Sequence, residues 1–533
     1  MRSDPSTSLT DIAERLGVDR LRLRQRDAIE ALVAGTDVLA IIPTGGGKSA
    51  IYQGAALALG GVTVVVSPLL ALQEDQIRSI EESDLGHAVS VDGSTSSSER
   101  SQAFDALESG SARFLFATPE ILNSDDVLER IARCDVTLFA VDEAHCIVSW
   151  GQGFRPDFLL LGDTRRRLGN PTAVALTGSA DPRIRTEIQR SLAMSDGITV
   201  SADLKRANIE LSVVNAADRA ASADCLADHL DTVAGKALVY VPTRRLCAEL
   251  AERLNTDDRP AAAYHGGLKK ADKKATVELI RSHERAVVVA TTAFGMGIDI
   301  PDISAVAHLD MPDSLLAYYQ EVGRGGRDGS PASGAVFVSL RSKSRRAFGS
   351  GVRETTVTDC AAVYVEIRNG AASRRQLIAR LPMNGGRVVR ALGVLAQVGA
   401  IAMSPSLTVT AELDVACVDE VCREREEFDR SQLEAVERYR SVRRCRWAQI
   451  LTSLGEPLER CGHCDVCGDQ NRNPPAPLDD VDLPFPVGTQ VQHPDFGPGT
   501  VTTRLRDIIT VAFDSVGPKE LDTGLCVRNG LLT

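Results

Sequence analysis

The sequence predicts an α/β protein with two parallel-sheet lobes, followed by a winged-helix-like region, a cysteine-bearing helical module and a small C-terminal β-barrel. Three observations carry this reading. Short Val/Ile/Ala runs, bounded by polar turns and separated by longer amphipathic stretches, recur in two series between residues 37 and 339. Helical periodicity takes over after residue 355 and leads through a charged stretch into four clustered cysteines. Beyond a Pro-rich break, short β-like runs are parted by Gly and Pro.

At 533 residues the chain exceeds what one hydrophobic core organises, and three or four domains are expected. A hydrophobic content of 43% and a charged content of 25% are ordinary for a globular protein. No segment reaches the ~20 apolar residues of a membrane span. The stretch Met1 to Thr10 is polar, without a basic region leading into an apolar core, so a secretory signal is not expected and the protein is placed in the cytoplasm. The net charge of −12 argues against holding nucleic acid by a global positive field; any such contact must be local. Eight cysteines (Cys134, Cys146, Cys225, Cys247, Cys360, Cys417, Cys422 and Cys526) are scattered, as expected of reduced thiols.

The first series of strands is expected at Val38 to Ile42, Val62 to Ser67, Phe114 to Thr118, Thr137 to Val141 and Ala173 to Leu176. The second is expected at Ala237 to Val241, Ala286 to Thr291, Ser304 to His308 and Ala335 to Leu340. Polar and alanine-rich sequence from Ser201 to Ala221 marks the boundary between lobes. Leu377, Leu381, Val388, Leu392 and Leu395 have helical spacing, and Ile401 to Val409 follows as a hairpin candidate, which together suggest a winged helix. Cys417 to Arg444 is helical by composition, Asn473 to Pro486 is a linker, and Gln490 to His493, Gly499 to Thr503 and Ile508 to Phe513 are the barrel's strands.

Two motifs carry the chemistry of the lobes. Ala40 to Pro43 ends a strand, Thr44-Gly45-Gly46-Gly47-Lys48-Ser49 is a glycine-rich turn, and a helix follows. Glycines let backbone N–H groups and the helix N-terminus converge on phosphate. Lys48 neutralises the β and γ oxygens, and Ser49 offers a hydroxyl to magnesium. The stricter phosphate-loop pattern has glycine where this chain has Ile42. The strand Val136 to Val141 runs into Asp142 and Glu143. Here Asp142 would hold magnesium, and Glu143 would orient and deprotonate an attacking water. ATP and Mg²⁺ are the cofactors implied.

Cys445 is followed after fifteen residues by Cys461-x-x-Cys464-x-x-Cys467. Four thiolates so spaced can close a tetrahedron around zinc with no open position, a structural role. Cysteines at two-residue gaps also occur in iron–sulfur ligation, so spacing leaves both open.

Asp142-Glu143-Ala144-His145 with Cys146, followed by Trp150-Gly151-Gln152-Gly153-Phe154-Arg155-Pro156-Asp157-Phe158, resembles motif II and the aromatic-rich loop of RecQ-family DNA helicases of superfamily 2. Leu21 to Gln25 resembles that family's adenine-reading motif. Ser67 to Leu72 with Asp75-Gln76, and Ala117 to Glu120, resemble its DNA-strand motifs. Tyr264 to Leu268, Ala290 to Asp299 and Gln320 to Gly329 follow in the family's order. The resemblance implies two RecA-like lobes and a 3′-to-5′ DNA helicase of repair and recombination, associated with the nucleoid and acting on single-stranded, tailed or branched DNA. It assigns Arg22, Gln25, Asp299 and Gln320 to the nucleotide, Arg327 to the role of arginine finger and Arg324 to the γ-phosphate. It gives Trp150, Phe154, Arg155 and Phe158 to DNA, by stacking and phosphate pairing. Cys445-Arg446-Trp447 and Cys461 to Cys467 resemble the RecQ zinc module, which favours zinc. The motor alone also fits a translocase or RNA remodeller that does not unwind processively.

The chain departs from the family pattern in three places. Gln152-Gly153 stand where His and Asp are usual, and Leu176-Thr177-Gly178-Ser179-Ala180 where Leu-Thr-Ala-Thr-Ala is usual. The winged-helix candidate precedes the cysteines rather than following them, and its hairpin lacks an aromatic tip. Val487 to Val501, with Val511 to Phe513 and Lys519 to Leu521, resembles the Tudor-like C-terminal module of UvrD/PcrA-type helicases, which implies either an RNA polymerase partner or a cap on this protein's own surface. The expected domains are 1–210, 211–345, 346–416, 417–472, a linker at 473–486, and 487–533.

Overall fold

The computed structural model describes residues 8–68, 70–83, 85–149, 156–295, 298–339, 355–403, 406–472, 485, 489–505, 508–513, 517–523, 526–527 and 530–532. The chain divides into two compact units, Met1–Gly468 and Asp469–Thr533.

The first unit is built on two parallel sheets. The seven strands of the first are β1 (Val38–Ile41), β2 (Val62–Val66), β3 (Ala88–Val91), β4 (Phe114–Ala117), β5 (Val136–Val141), β6 (Thr172–Thr177) and β7 (Ile198–Ser201), in the order β3-β4-β2-β5-β6-β1-β7. β2 reads Val-Thr-Val-Val-Val with every residue buried, as a strand covered on both faces requires. Alternate residues of β1 feed separate cores, with Leu39 and Ile41 on one face and Val38 and Ala40 on the other. This order sets the ends of β1, β6 and β5 side by side. The loops that follow them therefore share one edge of the sheet, where open α/β sheets bind ligands.

The second sheet has the order β10-β11-β9-β12-β13-β8, from β8 (Ile209–Ala216), β9 (Lys236–Tyr240), β10 (Ala261–Tyr264), β11 (Val287–Ala290), β12 (Ile303–Leu309) and β13 (Ala332–Ser339). Sequence reading misses β3, β7, β8 and β10, all of which border a sheet edge. Such strands are half-solvated, so they lack the apolar run that betrays a central strand: all four residues of β10, Ala-Ala-Ala-Tyr, are only partly buried. The expected boundary at 210/211 cuts through β8, which pairs with β13 along its whole length.

Three helices (Val357–Arg368, Arg374–Arg380 and Gly385–Gln397) and a minimal hairpin, β14 (Ile401–Ala402) with β15 (Thr408–Val409), enclose a core that includes Cys360, Leu392 and Leu395. A 27-residue helix, Val415–Ser441, leads to the cysteines. Their module covers the outer edge of β8: the Trp447 indole donates to Ile209 O at 3.0 Å, and Asp465 Oδ2 accepts from Val213 N at 3.1 Å. An edge strand is thus closed by side chains rather than by another strand.

The described part of the second unit is an antiparallel sheet of β16 (Gln490–His493), β17 (Gly497–Leu505), β18 (Ile508–Phe513) and β19 (Gly517–Asp522) in sequential order. Among the described residues β16 and β19 do not pair, so barrel closure is not seen. The expected strands end at Ile508 to Phe513, and β19 enters the sequence reading only through Lys519 to Leu521 in the Tudor-like resemblance.

Candidate nucleotide site and cysteine cluster

The phosphate loop follows β1, with Gly45 and Gly47 at φ of 79° and 78°, the left-handed region that glycine adopts freely. Close approach fixes two of these positions. A Cβ on Gly46 would lie 2.4 Å from Ile42 Cγ2, and one on Gly47 would lie 2.5 Å from Gln25 Nε2. Gln25 itself is bound to the loop, donating to Gly46 O at 3.2 Å and Gly47 O at 3.0 Å, while its Oε1 accepts from Arg22 N at 2.8 Å. Gln25 and Arg22 line a cavity of about 340 Å³ together with Thr44, Gly45, Gly46, Arg206 and Arg327.

A neighbouring cavity of about 350 Å³ holds Lys48, Ser49, Asp142, Glu143, Gln320 and Arg324. Lys48 Nζ pairs with Glu143 Oε1 at 3.5 Å, and the other oxygen of Glu143 lies 3.3 Å from His145 Nδ1. Burial pushes the Glu143 carboxyl up, but the Lys48 charge and the hydrogen bond with His145 outweigh it and hold the group below the usual carboxylate range. Asp142 moves the other way: burial, and then the Glu143 charge, raise it. Two adjacent carboxylates with opposed shifts fit a division of labour between a metal ligand and a base.

Gln76 Nε2 lies 2.9 Å from Asp142 Oδ2 and 3.5 Å from Ser49 Oγ. One amide thus donates toward both oxygens that the sequence offers to magnesium, a residue set that fits a hard cation with oxygen ligands. Sequence reading places Gln76 only within a DNA-strand motif; nothing in its spacing signals this contact.

Among the described residues, Gln320 and Arg327 bring the second lobe against the first. Gln320 Nε2 stands 3.2 Å from His145 Nε2, and His145 Nδ1 is 3.1 Å from Thr177 Oγ1. The ring thus stands between Gln320 of the second lobe on its Nε2 side and Thr177 and Glu143 on its Nδ1 side. Arg327 lies along the phosphate loop, such that a Cβ on Gly45 would come 3.7 Å from Arg327 Cβ. Its guanidinium pairs with Asp299 at 2.5 Å, and burial, then Arg324, lowers its pKa. The Nε atoms of Arg324 and Arg327 are buried and lack a hydrogen-bond partner among the described residues. Two unspent donors beside a glycine cradle fit a polyphosphate.

Of the residues assigned to DNA, Trp150, Phe154 and Arg155 lie outside the described residues, as do Gln152 and Gly153. Phe158 is corrected: it is 0% exposed and belongs to the core. The 3₁₀ turn that carries it, Pro156–Leu160, is packed against the helices Pro119–Leu122, Cys146–Ser149 and Gly385–Gln397, which leaves no face to stack on a base.

The ligand atoms of Cys445, Cys461, Cys464 and Cys467 all lie within 4.8 Å of one another. Backbone amides turn toward the sulfurs, with Cys461 N 3.2 Å from Cys445 Sγ and Arg446 N 3.4 Å from Cys464 Sγ. Neighbouring thiols lower the Cys461 pKa to about 3. Four convergent thiols with N–H donors behind them fit a tetrahedral zinc. His463 Nδ1 is 2.9 Å from Cys461 O, outside the sulfur set.

Comparison with known proteins agrees with this arrangement. A DEAD/DEAH box helicase family matches residues 22–185, and a helicase conserved C-terminal domain matches 221–329. Over 326 residues the chain is 37% identical to a probable ATP-dependent DNA helicase RecS of Bacillus subtilis, covering 61% of this chain and 65% of that protein. Over 320 residues it is 36% identical to the ATP-dependent DNA helicase RecQ of the same organism, covering 60% and 54%. The chain therefore spans between about half and two thirds of these relatives' length. A solved structure of the DUF1998 helicase MrfA bound to DNA shares the fold, with a TM-score of 0.54 at 15% identity over 78% of this chain and 61% of that one. The two matched families end at residue 329, so neither reaches the cysteine module or the C-terminal sheet. Residues 22–185 and 221–329 are thus similar to a DEAD/DEAH box helicase domain and a helicase conserved C-terminal domain, and together to the corresponding stretches of RecS and RecQ DNA helicases.

Proposed function

We propose that the chain is an ATP-dependent DNA helicase of RecQ type that moves 3′ to 5′ on single-stranded DNA and separates duplexes during repair or recombination. The observation that carries this reading is the contact between lobes, which brings Gln320 to His145 and Arg327 to the phosphate loop. A nucleotide bound between the lobes would touch both, so its hydrolysis would alter how they meet. Lys48 and the loop amides hold the phosphates, Arg22 and Gln25 face the base, and Glu143 takes the proton of the attacking water. Arg324 and Arg327 stabilise charge that develops on the γ-phosphoryl oxygens. Ser49 and Asp142 would hold magnesium, which when bound neutralises phosphate charge. Zinc at the four cysteines would stiffen the module that covers β8; metal analysis giving one zinc per chain supports this, and a visible iron–sulfur absorption overturns it.

The test is unwinding of a 3′-tailed duplex beside a 5′-tailed one. Displacement of the 3′-tailed substrate alone is expected, and Lys48→Ala should abolish both displacement and DNA-stimulated ATP hydrolysis. Robust ATP hydrolysis without displacement of either substrate would replace helicase by translocase.

A further inference from the structure

The segment between the lobes holds two side chains that no motif accounts for. Arg206 spreads its guanidinium over the turn that carries Arg324 and Arg327: Nη1 donates to Gly323 O at 2.9 Å, and Nη2 donates to Gly325 O at 3.0 Å and Gly326 O at 2.8 Å. Asn208 Nδ2 donates to Gly326 O at 2.9 Å and Ser330 O at 2.8 Å. Among the described residues no carboxylate pairs with Arg206. Its charge is met by glycine carbonyls alone, an expensive use of a part-buried guanidinium unless the geometry it imposes matters.

The turn closes bonds of its own, with Gly325 N donating to Val322 O at 3.0 Å and Gly329 N to Gly326 O at 3.2 Å, but its tightest point is shared with the linker. Gly326 has φ of 51°, and a Cβ there would come 2.3 Å from Ser330 O and 2.5 Å from Asn208 Nδ2. The linker that reaches it is itself anchored: Leu204 O accepts from the Tyr319 hydroxyl at 2.9 Å, and Glu456 Oε1, from the cysteine module, accepts from Ser201 Oγ at 2.8 Å. Arg206 also lines the cavity shared by Gln25 and Arg327. A strut fixed at its base therefore ends on the backbone of the arginine turn.

We infer that Arg206 and Asn208 are positioning residues for Arg324 and Arg327, and that through them the linker between the lobes sets where the two arginines stand against the phosphates. This rests on the role given above to those arginines. A planar fork reaching three carbonyls is specific to arginine; lysine offers one point of charge and cannot span them.

The experiment compares Arg206→Ala, Arg206→Lys, Asn208→Ala and Arg327→Ala in the full chain, measuring DNA-stimulated kcat, KM for ATP, binding of a fluorescent ADP, zinc content and thermal unfolding. Arg206→Ala is expected to lose kcat on the order of 100-fold, as misplacement of a catalytic group by about 1 Å does, with zinc content unchanged and ADP affinity, since Arg206 lines the cavity, falling far less than kcat. Arg206→Lys should recover only part of the loss. Arg206→Ala combined with Arg327→Ala should be no slower than Arg327→Ala alone, since one acts through the other. Full turnover of Arg206→Ala beside an inactive Arg327→Ala overturns the inference, as does a double variant whose losses multiply. Full turnover of Arg327→Ala overturns the reading of the site itself. If Arg206→Ala fails to fold, Asn208→Ala paired with Arg327→Ala decides by the same rule.

Discussion

His145 and Gln320 lie 175 residues apart in the chain and 3.2 Å apart in space, ring nitrogen to amide nitrogen, across the cleft between two parallel sheets. From Gln320 the polar contacts continue through His145 to Glu143 and on to Lys48. The second lobe is thereby wired, through His145, to the group assigned as base.

Gln320→Ala should break this wire while leaving the first lobe intact. Basal ATP hydrolysis is expected to persist within about threefold, and stimulation by single-stranded DNA to fall on the order of tenfold, a coupling of about 1.4 kcal/mol. Steady-state hydrolysis with and without DNA measures both. Equal loss of basal and stimulated rates would mean that Gln320 serves hydrolysis directly.

Asp142 gives a prediction with a sign. Its folded pKa is raised, by burial first and the Glu143 charge second. A raised carboxyl favours folding at acid pH, below its unfolded value of about 4, and that contribution is lost as pH rises through the folded value. At neutral pH the ionised group is therefore held at a cost until a cation arrives. Asp142→Asn should melt above the parent protein without magnesium, and should lose most of the stabilisation that magnesium gives the parent. Thermal unfolding at pH 7 with and without magnesium reads both, and a variant melting lower in metal-free buffer sinks the argument.

The reach of the sequence follows from how each signal is written. The phosphate loop and the carboxylate pair are contiguous, so Thr44 to Ser49 and Asp142-Glu143 announce themselves. Central strands such as Val62–Val66 do so because burial on both faces forces an apolar run. Gln76 beneath Asp142, and Arg206 on the arginine turn, depend on pairs 66 and between 117 and 120 residues apart, and nothing local marks them. Phe158 fails for a different reason: an aromatic in a motif reads alike whether it faces base or core.

Phe158→Ala tests that correction. Removing a fully buried phenyl should destabilise the protein by about 3–5 kcal/mol. Single-stranded DNA affinity measured well below the melting temperature should stay within about threefold, since a stacking residue would have cost ~1–3 kcal/mol of binding. Thermal unfolding and fluorescence anisotropy separate the cases. Unchanged melting with weakened binding would return Phe158 to the DNA surface.

Two glycines near the phosphates should answer alanine in opposite ways. At Gly46 an added methyl would sit 2.4 Å from Ile42 Cγ2 and 2.8 Å from Pro43 O, and the backbone oxygen has little room to yield. The loop must deform, so Gly46→Ala should lose nucleotide binding on the order of 100-fold. At Gly178, where the RecQ pattern has alanine, the methyl would meet Thr44 Oγ1 at 3.4 Å and Lys48 Nζ at 3.5 Å, which is contact without a clash. The backbone there does not need a positive φ, so Gly178→Ala should stabilise the protein by about 0.4–1 kcal/mol through the unfolded chain's lost freedom, with ATP turnover kept. Fluorescent-ADP titration and thermal unfolding of the two variants side by side check the pair. Loss of nucleotide binding in Gly178→Ala comparable to that in Gly46→Ala would show that the space beside Lys48 must stay open, and that this chain's departure from the family pattern at Gly178 is one its phosphate site requires.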